Sequence, residues 1–167
     1  MARRDHEELP LTQARWQFFE RGADPGSTVA PHIRRSWQRC GPDRENLPQE
    51  PVTTSLLRER RDAAGDLLRV SQAEIDGLAA HVVEHGCVVV LSDANGLILD
   101  RIGSPDFLPQ ARRIALTPGV EWSENLVGTN AIGTALVERE ALMVLGAEHL
   151  RPSNGALGCA AAPILSP

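Results

Sequence analysis

The chain has 167 residues, 42% of them apolar, and a net charge of −5, enough for one domain with a proper core and an appendage. Up to Val70 there are 12 arginines against 11 acids, and from Ser71 onward 5 against 11; an acidic second half does not condense on a phosphate backbone, which argues against direct nucleic-acid binding. Every lysine-like position is arginine, so a Walker A or Schiff-base lysine is excluded, and no run nears the ~20 apolar residues of a membrane span.

The opening "MARRDHEELP" has no apolar run behind its arginines, so it does not read as a secretory signal. Cys40, Cys87 and Cys159 are dispersed, which fits reduced thiols in a cytoplasm better than a disulfide framework.

Residues 11–22 read as a short helix carrying Trp16, Phe18 and Phe19 and ending at Gly22. "STVAPHIRRSWQRCGP" predicts a second helix, started by a Ser/Thr cap, with Pro31 in its first turn and a stop at Gly41. Val29, Ile33, Trp37 and Cys40 share one face. Arg34, Arg35 and Arg39 fill the remainder, as a solvated face or a docking surface for an acidic partner. A polar linker follows over 41–51. From Thr54 the helical period resumes, with Leu57, Ala64 and Leu68 at coiled-coil-like spacing, the seam of an expected homodimer. Ser71 and Glu74 form a capping box that predicts a fresh helix start, ending at Gly86. His81 and His85 have the spacing of two metal ligands but lack a third; the helix dipole explains His85 better.

After Gly86 the period changes. "CVVVLSD", the "ANG" turn and "LILDRIG" predict a hairpin over 87–102, and a short helix is expected around Gln110–Ile114. "EWSENLVGTNAIGTAL" reads as a helix capped at Ser123 or Thr129, with Gly128 and Gly133 where alanine would be better by up to ~1 kcal/mol each. "ALMVLGAEHL" and "ALGCAAAPIL" are a third and a fourth strand. Four strands with helices before and between them make an α/β (α+β) fold on an antiparallel sheet. The last strand has no successor before Pro167, so the sheet is expected to be incomplete at its C-terminus.

Ala131, Ile132, Ala135 and Leu136 form the apolar face of the GTNAIGTAL helix, opposite a strand of small residues around Cys159. The two glycines are expected to let that helix approach the strand closely, or to leave a cavity. Trp122, Glu124, Thr129 and Asn130 gather at the helix start. With Ile132, His149 and Cys159 they are the expected lining of a small-molecule site; the competing reading is that Thr129 and Asn130 are ordinary caps and Trp122 is core. Glu148-His149 is an acid–base pair without a nucleophile to serve, so no catalytic residue, metal or cofactor is expected.

"IRRSWQRCG", "VVVLSDANGLIL", "PGVEWSENLVGTNAIGTAL", "GAEHL" and "CAAAPI" together resemble the N-terminal sensory region of the acetoin catabolism regulators and the related glycerol-metabolism operon regulators. These are bacterial enhancer-binding activators that work with sigma-54. The resemblance implies a GAF domain over 71–167, incomplete at its C-terminus, behind an N-terminal helical extension and linker over 1–70. It implies a small-molecule effector (acetoin-, ketone- or polyol-like), with an AAA+ ATPase domain, a DNA-binding domain and sigma-54 RNA polymerase as partners beyond this chain. The alternatives are a dimerising or protein-interaction module without a ligand, and a haem or metal sensor using His149 and Cys159. An enzyme is not expected, because the three cysteines do not match the chemistry of methionine sulfoxide reduction.

Overall fold

Pro31 begins the helix on which the fold is hung. Its missing N–H costs nothing at the first helical position, and helix α2 runs Pro31–Cys40, stopped by Gly41 at φ +64°. Contrary to the expected Ser/Thr cap, Ser27 and Thr28 do not cap it. They lie in a separate 3-10 turn, and the N-cap is Ala30 with no side-chain bond. Before α2 comes α1, Arg4–Arg21. The computed structural model describes residues 4–41 and 49–165, so most of the expected linker and the last two residues lie outside the described residues.

The chain divides into two compact units, the first holding residues to Pro48 and from Trp122, the second Gln49–Glu121. In the second, Thr53 caps α3 (Thr54–Ala63) by accepting from Leu56 N at 3.3 Å. Helix α4 spans Gly65–Val82. The break between these helices falls at Ala64, not at Ser71. Ser71 sits mid-helix and its hydroxyl donates to Leu67 O at 2.7 Å, the back-bond that a serine makes when it is not a cap. His81 and His85 behave alike, each Nδ1 against the carbonyl four residues earlier.

Gly86, at φ +72°, ends a 3-10 turn and starts the hairpin β1 (Val88–Ser92) and β2 (Ile98–Gly103). Asp93 Oδ1 accepts from Asn95 N at 2.8 Å and Leu97 N at 3.0 Å, an Asx turn closed by Gly96 at φ +84°. The ladder is antiparallel with a bulge at Leu91/Ser92. Leu91, Ile98 and Leu99 of the ladder are buried, as is Ala111 of α5 (Leu108–Arg113).

In the first unit the expected single helix over 123–136 is two. Helix α6, Glu124–Val127, ends at Gly128 with φ +73°, and α7, Ala131–Glu138, starts after Asn130. Strands β3 (Leu142–Leu145) and β4 (Gly158–Ala161) pair antiparallel, with Val144 opposite Cys159. All four expected strands are present, paired as two separate ladders. Val29, Ile33 and Trp37 meet Ala131 and Ala135 of α7, Leu142 and Val144 of β3 and Ala14 of α1 in one core. Phe18 and Phe19 lie with ring centroids 5.4 Å from Trp37. At about 25 cal/mol per Å² of apolar surface, a fully buried aromatic of this size is a principal anchor.

Candidate functional site

Ser36 is buried on α2 because it shares the face of Ile33, Trp37 and Cys40. Its hydroxyl lies 2.6 Å from Glu124 Oε1 and 2.8 Å from Thr129 Oγ1. One hydroxyl proton serves one of these oxygens at a time, so the group is a shared hinge of the network rather than a surplus donor. Thr134 Oγ1 stands 3.4 Å away. One turn further along α2, Arg39 grips Glu124 through both carboxylate oxygens, Nε to Oε2 at 2.9 Å and Nη2 to Oε1 at 3.0 Å. Its Nη1 reaches Glu138 Oε1 at 2.7 Å. Arg35 forks onto Glu138 Oε2 from Nε, at 2.9 Å, and from Nη2, with Glu140 at 3.7 Å.

The planar guanidinium matches two carboxylate oxygens at once, which a lysine ammonium cannot do. Electrostatics follow the geometry. Burial, the largest single influence on Glu124, pushes its carboxyl up. The bonds from Arg39, Ser36 and Thr134 and the charge of Arg39 outweigh it, and Glu124 titrates below the ordinary glutamate value. Glu138 is lowered first by the Arg35 bond, against burial and with help from Arg39. Arg39 is raised in turn, above all by Glu124. Arg35 and Arg39 on the arginine face of α2 are thus paired with acids of the same chain, Glu124 and Glu138, while Arg34 lies 3.4 Å from the exposed Asp24.

The glycines have other neighbours than expected. A Cβ on Gly128 would overlap the Leu150 side chain, with Leu150 Cβ at 2.7 Å. A Cβ on Gly133 would lie 2.7 Å from Trp122 O and against the backbone of Ser123 and Glu124. They let α6, α7 and residue 150 close on one another, and neither one faces the β4 strand.

The expected site residues separate into groups. Glu124 and Thr129 meet in the Ser36–Arg39 network. Asn130 caps α7, its Oδ1 accepting from Gly133 N at 2.9 Å and its Nδ2 donating to Gly128 O at 2.8 Å. Trp122 is buried just before α6, and Ile132 is half-buried on α7. Cys159 is half-buried on β4, and desolvation pushes its thiol up to about 11, so it is no thiolate at neutral pH. His149 is 1% exposed. Its backbone carbonyl accepts from Arg15 Nη1 at 3.2 Å, and Arg15 Nη2 reaches Leu150 O at 2.8 Å. Glu148 takes the N–H of Leu145 at 2.7 Å and gives its carbonyl to Trp37 Nε1 at 2.9 Å. Among the described residues no group of three or more His, Cys, Asp or Glu is placed to hold a metal ion.

The residues of "SWQRC", "EWSENLVGTNAIGT" and "GAEHL" thus lie in one contact network though they are far apart in the chain. The same region is matched in known proteins. The family model described as the MimR N-terminal domain matches residues 10–167. The chain belongs to the MimR N-terminal domain family.

It is 34% identical over 175 aligned positions to the propane 2-monooxygenase operon transcriptional activator MimR of Mycolicibacterium goodii, covering 100% of this chain and 28% of that protein. It is 35% identical over 137 positions to the acetoin catabolism regulatory protein of Cupriavidus necator, 79% of this chain and 20% of the relative. The chain therefore spans roughly a quarter of the length of these relatives, which are named as regulators of transcription or of catabolism and not as enzymes. In fold it is similar to the solved E. coli DhaR(N)–DhaL complex, with a TM-score of 0.75 at 22% identity, over 81% of this chain and 47% of that one. As a member of the MimR family it is an N-terminal regulatory domain of the kind that operon transcriptional activators carry. Among the described residues no helix is long and apolar enough to cross a membrane.

Ser36, Thr134 and Glu138 are network members absent from the sequence reading, and Arg35 and Arg39 were read there only as a solvated or docking face. The signal was available for Ser36, three residues after Ile33 and four before Cys40 on the buried face. For the arginines there was none, since a helix period does not distinguish a solvated guanidinium from a paired one.

Proposed function

We propose that the chain is the ligand-sensing region of a bacterial sigma-54-dependent transcriptional activator. In this reading residues 71–167 are the GAF domain, residues 1–70 are the helical extension that supports a cytoplasmic homodimer, and a small metabolite binds near Trp122, Ile132, His149 and Cys159. Binding controls an AAA+ ATPase and a DNA-binding domain carried elsewhere in the longer protein. The observation that supports it most is the family match over residues 10–167, joined to relatives named as operon activators of which this region is about a quarter. An effector drives such a switch only through different affinities for two states, and the two-helix arrangement around Gly128 is a place where two states can differ.

The test is a thermal-shift and calorimetry screen of the protein against acetoin, glycerol, dihydroxyacetone, small ketones and alcohols. At least one is expected to stabilise it, and stabilisation by none contradicts a metabolite effector. A second reading rests on one observation: the DhaR(N) relative was solved with a protein, DhaL. The input is then a protein partner, and a stable complex with a purified partner, unaffected by any small molecule, favours it.

A further inference from the structure

Three consecutive carbonyls at the end of the Gly146–Glu148 turn accept from side chains of the N-terminal helices. Trp37 Nε1 of α2 donates to Glu148 O at 2.9 Å. Arg15 of α1 serves the next two, Nη1 donating to His149 O at 3.2 Å and Nη2 to Leu150 O at 2.8 Å. A guanidinium is a rigid planar fork, so it satisfies two neighbouring carbonyls at once, which a single ammonium does less well. The fork is itself seated: its central carbon lies 5.1 Å from the centre of the Phe19 ring, and that ring packs on Trp37.

The same segment also meets the joint between α6 and α7. Leu150 N donates to Thr129 O at 3.0 Å, and Arg151 Nη2 donates to Leu126 O at 2.8 Å. The buried Leu150 side chain fills the place that a Cβ on Gly128 would take. Leu150 therefore touches α1 through its carbonyl and the joint through its amide and side chain.

His149 and Leu150 are 1% and 0% exposed, so water has little access to their carbonyls while the segment is in place. A buried carbonyl that loses its donor has to be paired again or hydrated. Outward movement of the segment hydrates both carbonyls, and it also withdraws Leu150 from Gly128. One guanidinium serving two oxygens and one leucine filling one packed space favour two discrete arrangements, seated and released, over a graded slide.

We propose that residues 148–151 are a strap through which helix α1 and the α6–α7 joint control each other's order. Helix α1 stays seated while Leu150 lies against Gly128, and Leu150 stays there while Arg15 holds its carbonyl. This coupling goes beyond the sensory reading and needs no effector. It is a property of the chain itself, and as a coupling between two sites it is reciprocal.

Amide hydrogen exchange on the whole chain tests both directions. Arg15→Met keeps an unbranched stem and removes the fork. It should speed exchange of the Leu150 and Gly128 N–H groups by about tenfold or more, although these bond to Thr129 O and Glu124 O and not to Arg15. Ile98 N–H, bonded to Val120 O in the other unit, should keep its rate. Gly128→Ala displaces Leu150 and should in turn speed exchange over residues 15–22 by about threefold or more. Arg15→Lys keeps the charge with a single donor group and should fall between the wild type and Arg15→Met; it carries the test where the methionine variant does not fold. Faster exchange confined to α1 in Arg15→Met, or confined to the joint in Gly128→Ala, overturns the strap. An equal rise at Ile98 means a general loss of stability and also overturns it. Wild-type rates in Arg15→Lys would show that charge alone seats the segment, which overturns the fork as its holding device.

Discussion

Helices α2 and α3 are both 10 residues long and both present arginines to acids of their own unit, yet the pairings differ in kind. On α2, Arg39 holds Glu124 bidentately at 2.9 and 3.0 Å, the Glu124 side chain is 6% exposed, and Ser36 completes the shell. On α3, Arg61 approaches Asp100 at 3.7 Å and Arg60 approaches Asp93 at 3.9 Å, with both arginines more than 40% exposed. Water competes for the second set and scarcely for the first. Exposed pairs of long side chains contribute about 0–1 kcal/mol, while breaking a buried pair strands a charge. A count of arginine–acid pairs would rank the two helices together; burial and geometry separate them.

The sharpest way to break that comparison is Glu124→Ala. It leaves Ser36 and Thr134 without the carboxylate that accepts from them and Arg39 without its fork, and should cost about 3 kcal/mol in denaturant unfolding. That figure sits at the low end for a buried pair because the Arg39 side chain is 35% exposed and can rehydrate in part. A loss under about 1 kcal/mol would place α2 in the same class as α3. Next is Gly128→Ala, which meets Leu150 and requires φ +73° of an alanine; a loss of about 2 kcal/mol is expected, read as a lower melting temperature.

The same network should show in acid. The His149 pKa is lowered by burial from 6.5, so below that pH the unfolded chain binds a proton that the native state resists, and stability falls as the pH drops. Glu124 is lowered from 4.5, so its contribution is present above that pH and is lost as the pH falls through its folded value. Glu148 acts in the opposite sense, its pKa raised from 4.5 by burial, so its contribution is lost as the pH rises through its folded value. Urea melts between pH 7 and pH 2.5 should show a first decline as the pH falls below 6.5, and His149→Phe should abolish that step while sparing the Glu124 step below 4.5. The smallest effect is expected of Arg61→Ala, under about 0.5 kcal/mol by the same melts, and smaller still in high salt.

How much of this was legible in the sequence varied with the kind of signal. The β1–β2 hairpin was, because Asp93, Asn95 and Gly96 specify the turn chemically and the flanking run is β-branched. The buried face of α2 was, since four apolar residues repeat at helical spacing. The break at Gly128 was not: "ENLVGTNAIGT" keeps a helical period across it, and only a positive φ and the nearness of Leu150 show that the glycine is a joint. Ser71 misled because a capping box and a mid-helix serine share the same letters, and only the hydrogen bond to Leu67 tells them apart. Of the seven expected site residues, Glu124 and Thr129 meet at Ser36, and Asn130 caps α7. The partners of Glu124 and Thr129 come from α2, some ninety residues earlier in the chain, and no local pattern encodes such a pairing.

"SWQRC" and "EWSENLVGTNAIGT" form one energetic unit, joined by the Arg39–Glu124 fork and the Ser36 hydroxyl. A double-mutant cycle of Arg39→Ala and Glu124→Ala tests it most directly, with Arg61→Ala and Asp100→Ala as the reference cycle. A coupling of about 1.5 kcal/mol or more is predicted for the first and about 0–0.5 kcal/mol for the second. Additive losses at Arg39 and Glu124, with no more coupling than in the reference cycle, would contradict it.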